Sequence, residues 1–285
     1  MMQLAVITDE ISNDLDYALG VMAEYGVRHA ELRAIGDKNI SVLTPEETDQ
    51  VKQILARRGA RAISIASPFF KTDLPGAQES GSGPLHGATQ VGFEEQMELL
   101  ERCLRIAKQL DAPFVRTFTF WKHGALTPEI EDRIVDAYAE PARLAEEAGV
   151  TLLIENEHAC YIGTGAEAAR IASRIDSPNV KVVWDPGNAI FAGEQSFPAG
   201  YEAVKPFIAH VHVKDARPSA EGKVQWVVVG QGEARWPDQL AALKADGYDG
   251  YLSLETHYRN AEGAESSTRE CLAALKEIAE GAGVI

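Results

Sequence analysis

Cysteine is scarce, and what there is cannot build a framework. Cys103, Cys160 and Cys271 are odd in number, widely spaced and form no Cys-x-x-Cys pair. That excludes a disulfide scaffold and a structural zinc held by thiolate pairs. They read as reduced thiols, with Cys160 a packing residue even though it follows Glu155 closely. Positive charge is also short: 27 Lys and Arg stand against 43 Asp and Glu, a formal net charge of −16. No basic run offsets it, so no nucleic-acid partner is expected, because phosphate backbones are repelled. Long apolar runs are missing as well. None approaches the ~18 residues of a membrane span. The first residues, Met-Met-Gln-Leu-Ala-Val-Ile, have no basic stretch leading into a long apolar core. Together these absences predict a cytoplasmic protein with no membrane partner. No Gly-x-Gly-x-x-Gly turn follows the first apolar run, which argues against a doubly wound, dinucleotide-binding sheet.

What is present is a regular alternation. Short β-rich runs begin near Leu4, His29, Arg61, Phe114, Val150, Val180, Ile208 and Tyr251. Between them lie segments with helical spacing and clear starts, such as Asn13 or Asp14, Thr44-Pro45-Glu46-Glu47 and Thr127-Pro128-Glu129, and with stops at Gly26, Gly59 and Gly149. Strands alternating with helices imply parallel pairing. Eight units of about 36 residues each predict an α/β fold, a (β/α)8 TIM barrel, as one domain over residues 1–285. The rhythm breaks at residues 67–92, rich in Gly, Pro and Ser. A connection this long is functional or disordered, and it reads as a lid-like insertion.

Four of the runs end alike. Glu155, Asp185, His212 and Glu255 each tip a predicted strand, the fifth to the eighth. In such a barrel the site lies at the C-terminal ends of the strands. Three carboxylates and an imidazole make a hard oxygen and nitrogen donor set, suited to one Mn²⁺ or Mg²⁺ with Co²⁺ or Zn²⁺ as substitutes. Any one of them alone is a common surface or salt-bridge residue; four successive strand ends are the signal. His212 is preferred to His210 as nearer the strand end, although alternation puts both on one face. Glu31 and Arg33 tip the second strand, as substrate contacts or as a rim ion pair. Arg116 tips the fourth and suits a carboxylate or phosphate, or a structural ion pair. His158 and His257 follow two of the tips and suit hydroxyl contacts. Lys214 and Asp215 read as an orienting ion pair, and Gly230-Gln-Gly-Glu233 as a turn bounding the site.

The chain resembles the xylose-isomerase-like barrel superfamily of sugar isomerases and epimerases over nearly its whole length. The resemblance rests on Leu152-Leu-Ile-Glu155-Asn156, Trp184-Asp185-Pro-Gly-Asn188, His210-Val-His212-Val-Lys-Asp215, Gly230-Gln-Gly-Glu233 with Trp236, and Gly250-Tyr-Leu-Ser-Leu-Glu255. It implies one divalent ion on Glu155, Asp185, His212 and Glu255, with Glu155 and Glu255 also serving as acid and base. It places a substrate-binding arginine at Arg217. Two positions depart from the ketose 3-epimerases: Asn188, still expected to contact substrate, stands where they carry histidine, and Tyr161 where they carry glutamate. The superfamily's DNA-repair endonuclease needs extra histidines on strands three and four, and Ser64 and Arg116-Thr117 occupy those stretches here.

The expected function is a metal-dependent isomerase or epimerase acting on a small polyhydroxy carbonyl compound. An ion between a carbonyl and an adjacent hydroxyl oxygen acidifies the carbon and favours an enediolate, and carboxylates move the proton. The same groups serve a lyase that dehydrates a keto-cyclitol. The third reading is a non-catalytic sugar-binding subunit. A homo-oligomer is compatible with all three.

Overall fold

The computed structural model describes residues 1–76 and 90–285. The middle of the expected insertion therefore lies outside the described residues. Its first part is not insertion at all, because Ser67–Phe69 complete a strand and Phe69 and Phe70 are fully buried.

Eight strands form the barrel: β1 (Gln3–Ile7), β2 (His29–Leu32), β3 (Arg61–Phe69), β4 (Phe114–Thr117), β5 (Thr151–Glu155), β6 (Val180–Trp184), β7 (Ile208–Val213) and β8 (Tyr251–Leu254). Each pairs in parallel with its sequence neighbours, and β1 closes the ring on β8. Their apolar runs are buried on both faces, as parallel strands between a filled interior and a helical coat require. Val6, Ile65, Leu152, Val182, Val211 and Leu254 expose nothing to solvent.

The coat forms where the local signals place it. In α1 (Leu15–Glu24) the Asp14 side chain accepts from Tyr17 N. In α2 (Pro45–Arg58) Thr44 and Glu47 cap each other reciprocally, and Gly59 ends the helix at φ 60°. α3 (Phe93–Leu110) packs on β3. The expected single helix from Pro128 to Gly149 is two, α4 (Pro128–Ala137) and α5 (Ala139–Ala148). Pro141 has no N–H to donate back to Ala137, so the ladder cannot run through. Tyr138 at the junction is buried, and its hydroxyl donates to Phe118 O at 2.6 Å. α6 (Gly165–Ile175), α7 (Pro186–Phe191), α8 (Tyr201–Val204), α9 (Trp236–Ala245) and α10 (Ala264–Gly281) complete the coat.

Two small antiparallel hairpins sit beyond β2 and β7: Ala34–Ile35 with Lys38–Asn39, and Asp215–Pro218 with Val224–Val227. Among the described residues no helix is long and apolar enough to cross a membrane.

Candidate metal centre and its surroundings

The last residue of β5, the next-to-last of β7 and the first residues past β6 and β8 meet at the C-terminal mouth. One ligand-type atom from each of Glu155, Asp185, His212 and Glu255 lies within 4.8 Å of the others, and all four residues are buried. His212 Nδ1 is 3.5 Å from Glu155 Oε1, 3.6 Å from Glu255 Oε2 and 3.9 Å from Asp185 Oδ2. Each side chain is braced. Asp185 caps α7, with Oδ1 accepting from Asn188 N at 2.9 Å. Asn156 ties β5 to the same turn, donating to Asp185 O and accepting from Asp185 N, both at 2.8 Å. The Asn188 amide donates to Glu155 Oε1 at 3.0 Å. Beneath the mouth, Glu31 Oε2 lies 3.1 Å from His212 Nε2 and 3.0 Å from His210 Nε2.

Three cationic side chains surround the carboxylates. Lys214 Nζ is 2.6 Å from Glu255 Oε2 and 2.8 Å from Asp185 Oδ2. Arg116 Nη1 is 3.3 Å from Glu155 Oε2 and 3.8 Å from Glu255 Oε1. Arg33 bridges Glu255 (2.9 Å) to Asp9 (2.9 Å) and Glu10 (2.5 Å).

Burial pushes Asp185 up to about 6, and Lys214 only partly counters it. Burial would raise Glu255 too, but Lys214, His257 and His212 hold it well below the carboxylate range. Burial alone would depress Lys214, yet Asp185, Glu255 and Glu155 hold it above its ordinary value.

The residues fit a bound cation on their own chemistry. Glu155 Oε2, Asp185 Oδ2 and His212 Nδ1 are buried without a hydrogen bond. Asp185 Oδ2 lies close to Lys214 Nζ but out of hydrogen-bonding alignment. Buried polar atoms of this kind are ordinarily paired, and a hard divalent ion pairs oxygen and imidazole donors together.

A family model described as xylose isomerase-like TIM barrel matches residues 19–278. This chain belongs to that family. An inosose dehydratase of Geobacillus thermodenitrificans is 26% identical over 235 residues, 74% of each chain. Among solved structures, the IolI protein with a bound zinc atom superposes with TM-score 0.77 at 19% identity, over 98% of this chain and 99% of that one. The 3-keto-D-glucoside 4-epimerase YcjR of E. coli gives 0.72 at 16%, over 97% and 100%. At such identities the two structures speak for the fold.

In this xylose isomerase-like barrel the remaining expected site residues divide. Arg116 reaches the cluster, and His257 Nε2 stands 3.7 Å from Glu255 Oε1. His158 Nδ1 is 3.0 Å from Glu157 and 3.3 Å from the Asn188 amide oxygen, so it joins the mouth through Asn188. Burial would lower His158, but Glu157 more than offsets it and raises it.

Glu31 does not reach the mouth as a substrate contact. It is fully buried, and both of its oxygens are engaged by His210, His212, Ser64 and Ser253. Arg217 is not brought to the cluster. On the 215–227 hairpin Arg217 opposes Gln225, both exposed, while the inward face carries Ala216 and Trp226. The Arg217 guanidinium donates to Gln231 O instead. Lys214 and Asp215 are not an ion pair either. Asp215 accepts from the backbone N–H groups of Ala216, Gly230, Gly232 and Ala234, fixing the 230–234 turn. Cys160 packs against Phe118 and Trp121, away from any ligand role.

Lys214 was read only as an ion pair with Asp215, and Trp226 was not singled out in the sequence. Lys214 had a usable signal: His210, His212 and Lys214 alternate, so all three face inward and Asp215 faces away. Trp226 had none. It stacks on Phe191 at 4.0 Å, meets the His257 ring edge-on at 4.8 Å and lies 5.3 Å from Lys214 Nζ. It also helps line a cavity of about 460 Å³ beside Glu255, with Asp9, Glu10, Arg33, His257 and Arg259.

Proposed function

We propose that this chain is a divalent-metal-dependent enzyme that moves a proton next to the carbonyl of a small polyhydroxy compound. Glu155, Asp185, His212 and Glu255 would hold the ion, with Glu155 and Glu255 as acid and base. The observation that carries the reading is the meeting of four buried ligand groups within 4.8 Å, three of their donor atoms without a hydrogen bond. When bound, the ion supplies Lewis acidity to a carbonyl oxygen.

The protein's own residues supply the rest. One glutamate takes the proton from the carbon. The other, on the far side of the cluster, protonates a departing hydroxyl, so water leaves and a carbon–carbon double bond forms. Alternatively it returns a proton to the opposite face and inverts the centre. Arg116 and Lys214 hold the two carboxylates in place. Trp226 and the cavity wall exclude water from the reacting carbon.

Dehydration of a keto-cyclitol-like ring is the outcome we favour, ahead of the epimerisation first expected. Asn188 and Tyr161 replace the epimerase histidine and glutamate, and curated relatives spanning most of the chain are named inosose dehydratase. Epimerisation stays as the second reading because two glutamates flank one cluster. Mn²⁺ or Mg²⁺ suits the three-carboxylate set best, with Zn²⁺ and Co²⁺ as substitutes.

The test is turnover of inososes and free ketoses by metal-loaded protein in deuterium oxide. An unsaturated ketone supports the lyase, and an epimer carrying solvent deuterium supports the epimerase. Glu155→Gln and Glu255→Gln should each reduce turnover ~10²–10⁴-fold. Near-normal turnover in both, or substrate hydrogen carried intact to product, would overturn proton transfer. Metal bound with no turnover of any polyol leaves the binding subunit.

A further inference from the structure

Glu31 lies inside the barrel, just beneath the mouth, with no exposed surface. Its Oε2 is 3.1 Å from His212 Nε2, 3.0 Å from His210 Nε2 and 2.8 Å from Ser253 Oγ, and its Oε1 is 3.0 Å from Ser64 Oγ. The arrangement spans the barrel. Glu31 comes from β2, Ser64 from β3, both histidines from β7 and Ser253 from β8, and in register Ser253 pairs with His212 while Glu31 pairs with Ser64. An ionised carboxylate accepts and never donates. Every neighbour within reach must therefore turn a hydrogen toward it. For both imidazoles that hydrogen is on Nε2.

The consequence differs for the two rings. His210 Nδ1 is left buried without a partner, and so is His212 Nδ1, but only the latter faces Glu155, Asp185 and Glu255. We propose that Glu31 is a positioning residue. It fixes the tautomer and ring orientation of His212, so that the Nδ1 lone pair is presented to the three carboxylates. His210, Ser64 and Ser253 hold Glu31 in place against rotation. This separates two histidines that the alternating strand leaves equivalent: one serves the cluster and the other serves the carboxylate behind it. The inference rests on the metal reading for its purpose, but not for its geometry.

Two measurements test it and fail separately. In wild-type, metal-free protein with ¹⁵N-labelled histidine, long-range proton–nitrogen correlation at alkaline pH reads which ring nitrogen carries the hydrogen. The expected result is Nε2–H on His212, and Nδ1–H would overturn the proposal whatever the protein binds. The second measurement titrates Mn²⁺ and Zn²⁺ by calorimetry into wild type, Glu31→Gln and His210→Asn, each checked for native circular dichroism. Glu31→Gln keeps size and shape but removes the negative charge: with its NH2 turned to Ser64 Oγ, its amide oxygen is a weaker acceptor for both imidazoles. Affinity should fall ~10–100-fold, and the His212 nitrogen signals should move. His210→Asn keeps the Glu31–His212 bond and should change affinity by only a few-fold. Unchanged affinity in a folded Glu31→Gln, or two ions per chain with Glu31 and His210 as ligands, would overturn the role. If wild type binds no divalent ion, the metal reading fails, and the tautomer spectrum still decides the proposal. If Glu31→Gln does not fold, the same spectrum decides.

Discussion

At the scale of single residues the mouth is a balance of buried charge, and Lys214 tips it. Its ammonium lies within 2.8 Å of carboxylate oxygens on both Asp185 and Glu255. An incoming divalent ion needs those same oxygens. Removing one unit charge at such distances matters: about 4 kcal/mol separates two charges 4 Å apart near a protein surface. Lys214→Met is therefore expected to tighten divalent-ion binding by at least about tenfold while lowering turnover, because the carboxylates lose their restraint. Calorimetry with Mn²⁺ decides, and a variant that binds the ion more weakly than wild type would show that Lys214 assists the ion. The four strand-tip residues were legible because each closes an apolar run. Lys214 was misjudged by its sequence neighbour Asp215, although period-two alternation sets the two on opposite faces. Arg217 was placed by family resemblance, and the hairpin that turns it outward leaves no mark in local composition.

At the scale of elements the barrel strands and long helices were readable because propensity, capping and apolar period agree. Thr44 with Glu47 and Gly59 bound α2 as expected. The misses are short and depend on tertiary contact. α7 is six residues, and the Asp215–Pro218 and Val224–Val227 hairpin is held by Asp215 on backbone amides and by Trp226 packing on Phe191. Gly187 is where these meet. A Cβ there would stand 2.7 Å from Lys214 Cγ and 3.0 Å from Trp226 Cζ3. Alanine is a better helix former than glycine by up to about 1 kcal/mol, yet overpacking a buried contact costs about 1–3 kcal/mol, so the clash wins. Gly187→Ala should lower the denaturant midpoint and shift the tryptophan emission as Trp226 is displaced. A midpoint at or above wild type would show that the hairpin yields without cost.

At the scale of the whole molecule, the barrel brings together groups that lie far apart in the chain, from Glu31 to Glu255, and concentrates carboxylates in a chain already at −16. An unfolded chain cannot gather Glu155, Asp185, His212 and Glu255 around one point, so an ion that binds there binds the native state alone. Mass action then stabilises the fold by about 2.7 kcal/mol at a free-ion concentration a hundredfold above the dissociation constant. For domains of 150–250 residues each kcal/mol moves the midpoint by about 2–4 °C, so a chain slightly larger should gain about 5–10 °C. The gain should appear with Mn²⁺, Mg²⁺ or Zn²⁺ over a chelator control, grow with the logarithm of ion concentration, and largely vanish in His212→Ala. His210→Asn should retain it, because His210 Nε2 lies against Glu31 rather than the three carboxylates. General screening of excess negative charge would also raise the midpoint, but it would do so equally in His212→Ala and with monovalent salt at matched ionic strength. An equal shift in wild type and His212→Ala would thus assign the effect to screening and remove the ion from the mouth of the barrel.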